Sequence, residues 1–168
     1  KWINRDEAAS PTTSAESVAI TCAIDAKECR DIMSCDVSNA FVQTPMPQPK
    51  DGEDRVILKI RGEMVDMLLE IEYETFADYI VYENGKKVIY AVVLRALYGM
   101  LVASLLWYKK FRKDLEGIEF VFNPYDPCVA NRMINGNQHT IRFHVDDVLS
   151  SHDDPKVNDD FLVWLNKN

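Results

Sequence analysis

The run Thr140-Ile141-Arg142-Phe143-His144-Val145-Asp146-Asp147-Val148-Leu149 sets two adjacent acids between apolar strand formers. Residues 140–144 read as a strand from their β-branched and aromatic content, and the two acids as a tight turn into the next strand. A carboxylate pair with apolar flanks is costly to enclose unless its charge is compensated, and a divalent cation does this. Asp36 has the same setting, at the end of the short strand-like run Ile32-Met33-Ser34-Cys35-Asp36-Val37. Three carboxylates on two neighbouring strands form the donor set for two Mg²⁺ ions about 3.5–4 Å apart, a site that activates a hydroxyl and stabilises a leaving pyrophosphate. The plain alternative is a pair of ordinary turn aspartates, and spacing alone does not separate the two.

Upstream, Thr13-Ser14-Ala15-Glu16 fits a capping box. Val18, Ala19, Cys22, Ala23 and Ala26 then recur at helical spacing, with Ile20 and Ile24 widening the apolar side. The pattern predicts an amphipathic helix over 14–29. Pro45, Pro47 and Pro49 make 44–54 an extended loop, and 55–60 is a strand by its β-branched content. Residues 63–82 mix helical spacing (Met64, Met67, Leu68, Ile71) with an extended run (Tyr79-Ile80-Val81-Tyr82). Asn84-Gly85 marks a hairpin turn into the strand 87–93. A helix follows from Ala103 to Glu116, with Leu106, Trp107, Phe111 and Leu115 on one side and Gly117 as its cap. Cys128–Met133 and Thr140–His144 are strands around Asn135-Gly136-Asn137. Asp154-Pro155 opens a last helix carrying Phe161, Leu162, Trp164 and Leu165.

The chain has 168 residues, 47% apolar and 27% charged, which is globular composition. It offers no linker between domains and no apolar run long enough for a membrane span. The first residue is not Met, so a fragment of a longer protein is expected. The four cysteines (22, 29, 35, 128) make no C-x-x-C pair and the three histidines no ligand cluster, which argues against zinc. The thiols are expected reduced and mostly buried. A net charge of −8 opposes polyanion binding, but the charge is unevenly placed. Residues 51–83 hold ten acids and three bases, while 85–113 hold seven bases and no acid. The basic block suits a polyanion or a solvated helix face.

In order along the chain stand Pro11-Thr12-Thr13 through Ser17-Val18, Cys35-Asp36-Val37-Ser38-Asn39-Ala40-Phe41, Leu94-Arg95-Ala96-Leu97-Tyr98-Gly99-Met100, Leu106-Trp107-Tyr108, Asp126-Pro127-Cys128 and Phe143-His144-Val145-Asp146-Asp147-Val148-Leu149. In this order and at these intervals the set resembles the reverse transcriptase of copia-type LTR retrotransposons. That family shows D-V-x-x-A-F, K-x-A-L-Y-G-L with W-Y after it, and Y-V-D-D. Each block alone is weak; four in order span nearly the whole chain.

The resemblance implies an α+β fold: a polymerase palm-type antiparallel sheet with packed helices and partial fingers, occupying 1–168 as one domain truncated at both ends. It implies RNA-directed DNA synthesis, with two Mg²⁺ ions (or Mn²⁺) on Asp36, Asp146 and Asp147 and on the carbonyl of Val37. Backbone amides of Asn39 and Ala40 would face the triphosphate of the incoming nucleotide. Phe41 would stack under the sugar and exclude a 2′-hydroxyl, and Tyr98 and Gly99 would line the nucleotide pocket. His144 stands where the family carries Tyr and would touch the primer strand. The implied partners are a primed RNA or DNA template, deoxynucleoside triphosphates and the rest of a Pol polyprotein, integrase and RNase H included. No membrane is implied, and the expected location is a cytoplasmic particle. Two other functions use the same residues: a catalytically inactive transposon remnant that binds nucleic acid, and a metal-dependent nuclease without a sugar gate.

Overall fold

The computed structural model describes residues 9–49 and 55–167. It is a mixed α+β protein with antiparallel sheets, and its contacts divide into two compact units. The first joins the chain up to Thr44 with the chain from Ala96 onward; the second is Pro45–Arg95. Along the chain the second unit is inserted within the first. Among the described residues no helix is long and apolar enough to cross a membrane.

In the first unit the elements are α1 (Ala15–Glu28), β1 (Asp31–Asp36), α2 (Ala40–Gln43), α5 (Ala103–Glu116), β5 (Val121–Phe122), β6 (Val129–Ile134), β7 (Asn137–His144), β8 (Asp147–His152) and α6 (Pro155–Leu165). The five strands form one sheet in the order β1-β8-β7-β6-β5, every pair antiparallel. Side chains alternate between faces along a strand, and directly opposed residues share a face. One face carries Cys35, Val148, Phe143, Ile141 and Ala130. It closes with Trp107, Phe111 and Leu115 of α5 and Phe161 of α6 into a single apolar core.

The other face is more polar. Arg142 and Ser151 point from it toward α1. The buried Asp25 carboxylate accepts the Ser151 hydroxyl at 2.7 Å and lies 3.3 Å from the Arg142 guanidinium and 4.0 Å from that of Arg30. Arg142 also donates to the Thr21 hydroxyl. The predicted apolar stripe of α1 therefore stays outside: Val18, Ala19, Cys22, Ala23 and Ala26 are exposed, and Asp25 is the buried residue of the helix. The sheet beneath presents an arginine, and an enclosed arginine requires a carboxylate before it requires apolar contact. Removing one partner of such a pair costs about 3–5 kcal/mol.

The helix cap also shifts by one residue. Ser14 is the N-cap, its hydroxyl accepting the Ser17 N–H at 3.1 Å, while the Thr13 hydroxyl donates to the Phe143 carbonyl at 2.6 Å. The cysteines are free, as expected, but Cys22 and Cys29 are exposed because they lie on the outer side and end of α1. Cys128 is buried, which pushes its thiol up to about 12.

The second unit comprises β2 (Ile57–Arg61), α3 (Glu63–Ile71), α4 (Tyr73–Phe76), a 3-10 turn (Ala77–Tyr79), β3 (Ile80–Glu83) and β4 (Lys86–Val92). Its sheet runs β2-β4-β3. Asn84 and Gly85 both take positive φ (48° and 75°), the geometry of a two-residue hairpin whose twist matches its strands. The ambiguous segment 63–82 resolves into helix first and strand last. Of α3 only Val65 is buried, and Met64, Met67 and Ile71 are exposed. Residues 50–54 of the expected extended loop lie outside the described residues.

The core holds one buried polar chain. Arg132 donates to His139 Nδ1 at 3.3 Å, His139 Nε2 meets Ser150 Oγ at 2.7 Å, and Ser150 donates to Asn158 Oδ1 at 2.7 Å. This network sets the neutral Nε2–H tautomer. Burial, with Arg132 nearby, pushes the His139 pKa down to about 3. An unfolded histidine titrates near 6.5. The unfolded chain therefore binds the extra proton as pH falls, and stability that is complete above about pH 6.5 declines below it. Between about pH 6.5 and 5, above the carboxylate range, urea unfolding should show a slope approaching 1.4 kcal/mol per pH unit from this residue. His139→Gln should flatten that slope; an unchanged slope would show that another group is responsible.

Candidate active site

The strand register brings two of the three predicted acids face to face. In the β1–β8 ladder Asp36 lies directly opposite Asp147, and in the β7–β8 ladder Asp147 lies opposite His144. His144, Asp147 and Asp36 thus form a row across three strands on the face away from the apolar core. All three are exposed. The reason is local: Cys35 and Val148, the neighbours of the two acids, pack into the core, so alternation turns the acids outward.

Asp146 occupies the turn between β7 and β8 and is half-buried. Val37 N–H donates to its carbonyl at 2.9 Å, extending the β1–β8 pairing by one residue. Val145, just before it, has φ 58°. A β-branched residue rarely adopts this left-handed conformation. The Trp107 indole donates to the Val145 carbonyl at 2.7 Å. The corner carrying the acids is therefore tied at two consecutive carbonyls.

No cation or hydrogen-bond donor meets the side chains of Asp36, Asp146 or Asp147 among the described residues. Uncompensated carboxylate oxygens at one strand end are the donor type that Mg²⁺ takes. Asp36 and Asp147 are opposed in the ladder. Among the described residues no three His, Cys, Asp or Glu side chains converge closely enough to hold a metal. The charge of Asp36 is felt next door: burial and then Asp36 raise the Cys35 thiol pKa.

The remaining predicted residues fall into two groups. Val37 is buried, and its carbonyl accepts the Ala40 N–H at 3.2 Å. The Ala40 amide is thereby engaged within the turn, and its methyl lies in the core. Asn39 is exposed with φ 56° at the start of α2. Phe41 and Tyr98, 57 positions apart (98 − 41), meet with ring centroids 4.6 Å apart at 49°. Phe41 is half-buried and Tyr98 57% exposed, so part of this aromatic pair faces solvent. Gly99 follows with φ 88°, a conformation that favours glycine. A cleft of about 390 Å³ opens beside Asp36, lined also by Val37, Ser38, Gln43 and the α6 end at Leu162, Leu165, Asn166 and Lys167.

Sequence reasoning gave the supports of this site no part in it. Trp107 was read only as the apolar side of its helix and Thr13 only as part of a capping box, and Asp126 stood in a motif block without a function. Asp126 accepts the N–H groups of Ser14 and Cys128, both at 2.9 Å, and joins the start of α1 to β6. Burial works to raise its pKa, but hydrogen bonds from Ser17, Ser14 and Cys128 outweigh it and hold the carboxyl below its ordinary value. Their signal was an indole, a hydroxyl and an acid at fixed intervals from the carboxylate blocks. Comparison with protein families, with curated proteins and with solved structures gave no match.

Like charges directly opposed across a ladder destabilise it, typically by a few tenths to about 1 kcal/mol. Asp36→Asn and Asp147→Asn should therefore each raise the Tm of the metal-free chain. Added Mn²⁺ or Mg²⁺ should raise the Tm of the unsubstituted chain and much less that of either variant. Two destabilised variants with intact metal responses would show that the acids are structural.

Proposed function

We propose that the chain is the palm-type catalytic core of an RNA-directed DNA polymerase of the copia retrotransposon type, acting inside a cytoplasmic particle. The observation that carries this reading is the pairing of Asp36 with Asp147. Two acids separated by 111 positions (147 − 36) stand opposed, without counter-ions among the described residues, in the two blocks where the motif order expects the polymerase carboxylates. The Phe41–Tyr98 contact supports it, since it joins the two blocks assigned to the nucleotide pocket.

In this reading Asp36 and Asp147 would hold Mg²⁺, with Asp146 in the adjoining turn. When bound, Mg²⁺ lowers the pKa of a primer 3′-hydroxyl and offsets charge on the triphosphate. The chain's own residues do the positioning. The β1–β8 register sets Asp36 opposite Asp147, and the turn at Val145 places Asp146 beyond the end of β7. Phe41 sits five residues past Asp36, where its ring would lie under the sugar and reject a 2′-hydroxyl. His144 would lie against the primer. Catalysis of this kind is mostly electrostatic and positional.

Primer extension on a primed RNA template with deoxynucleoside triphosphates and Mg²⁺ tests the reading, on this chain and on one carrying its natural flanking sequence. With a net charge of −8 the 168-residue chain should bind primer–template weakly and lose affinity steeply with salt, so extension should be low for it and higher for the longer chain. Asp147→Asn should cut extension by on the order of 10²–10³-fold. Phe41→Ala should leave deoxynucleotide incorporation largely intact and admit ribonucleotides. Folded proteins that extend nothing in either form would overturn the assignment in favour of an inactive remnant. Cleavage of nucleic acid without nucleotides would instead indicate a nuclease.

A further inference from the structure

We infer that Trp107 is a positioning residue for the carboxylate-bearing turn: its indole N–H holds Val145 in a left-handed conformation that the valine would otherwise leave. The part of this inference that concerns metal and catalysis rests on the polymerase reading; the part that concerns the turn does not.

The β7–β8 connection has two central residues, Val145 and Asp146, and Val145 carries the positive φ of 58°. Hairpins usually place glycine, asparagine or aspartate at such a position. A valine there is strained and persists only where its surroundings over-determine it. Two hydrogen bonds do so, Trp107 Nε1–H to the Val145 carbonyl at 2.7 Å and Val37 N–H to the Asp146 carbonyl at 2.9 Å. The second belongs to the sheet. The first is a side-chain bond from a different element, α5.

The indole is itself firmly placed. Trp107 is 3% exposed and stacks on Phe111 with centroids 5.1 Å apart and planes at 11°. Phe111 meets Phe143 edge-on at 5.0 Å, and Phe143 immediately precedes His144. The core that fixes the donor is therefore the core that β7 closes, and donor and acceptor are held in one frame. A phenyl ring at 107 would fill most of the same space without the N–H. The Val145 carbonyl would then lose its partner, and the turn would be free to relax toward a conformation that valine prefers, rotating Asp146 and Asp147 away from Asp36.

The test is a cycle of Trp107→Phe, Val145→Gly and the double variant in the 168-residue chain. Glycine takes positive φ without strain, so the glycine turn should keep its shape when the indole is gone. Circular dichroism verifies that each variant is folded. The first readout is the amide resonances of Asp146 and Asp147 in two-dimensional NMR. They should shift or broaden in Trp107→Phe and return close to their Val145→Gly positions in the double variant. The second readout is Mn²⁺ affinity, expected to fall about tenfold in Trp107→Phe, as for other residues that orient metal ligands, and to recover to within about threefold in the double variant. Resonances that stay in place in Trp107→Phe would overturn the inference and leave the indole as core filling. Failure of Val145→Gly to rescue them would do the same. Expected NMR behaviour in a chain that neither binds Mn²⁺ nor extends primers would uphold the role of Trp107 in the turn while defeating the polymerase reading.

Discussion

The register between β1 and β8 is the constraint on which the rest of the first unit depends. Side chains along a strand alternate strictly, so a slip of one residue would exchange the two faces. If β1 slipped against β8, Cys35 would move out of the core and Asp36 would move in, where an unpaired carboxylate is costly. Burial of one pair and exposure of the other therefore enforce the same alignment. The position of the acids follows from the packing of their apolar neighbours, without any attraction between the acids themselves.

The second face of the sheet is governed by charge. Arg142 and Arg30 meet Asp25 there, and α1 is held through its polar residues Thr21 and Asp25. A helix fastened in this way has no need to bury its apolar stripe. This is why hydrophobic periodicity located α1 correctly and misjudged which side faces inward. The period of a pattern reports that a helix forms; what the helix lies on is written elsewhere in the chain, here in Arg142 and Ser151.

The same distinction separates the legible parts of the molecule from the rest. The helix at Ala103–Glu116 and the strands around Asn135-Gly136 are plain in the sequence because local pattern and tertiary burial agree. The hairpin at Asn84-Gly85 is plain because its turn type demands those residues. The motif blocks grouped the three acids, and the sheet opposes two of them, Asp36 and Asp147. The hold on Val145 was not legible, since no local rule ties a tryptophan to a turn 38 positions away. Nor was the engagement of the Ala40 amide by the Val37 carbonyl, which depends on the tight turn into α2. The prolines at 45, 47 and 49 mark the first edge of the inserted unit, but they read only as an extended loop, and nothing comparable marks its second edge at Arg95.

That insertion has a consequence for how the gene can change. Within the first unit, Ala96 N–H donates to the Thr44 carbonyl at 2.9 Å. Within the second, Met46 N–H donates to the Leu94 carbonyl at 3.0 Å, and Pro45 bridges to Arg95. The 51 residues from 45 to 95 (95 − 45 + 1) thus leave and return through adjoining backbone. Closing a loop costs only about 0.6 kcal/mol more for each doubling of its length. The junction at Thr44 and Ala96 is accordingly a point where coding sequence can be gained, lost or exchanged at little thermodynamic cost to the sheet that bears the acids. Length differences between related sequences should collect there, while the spacing from Asp36 to Thr44 and from Ala96 to Asp147 stays constant.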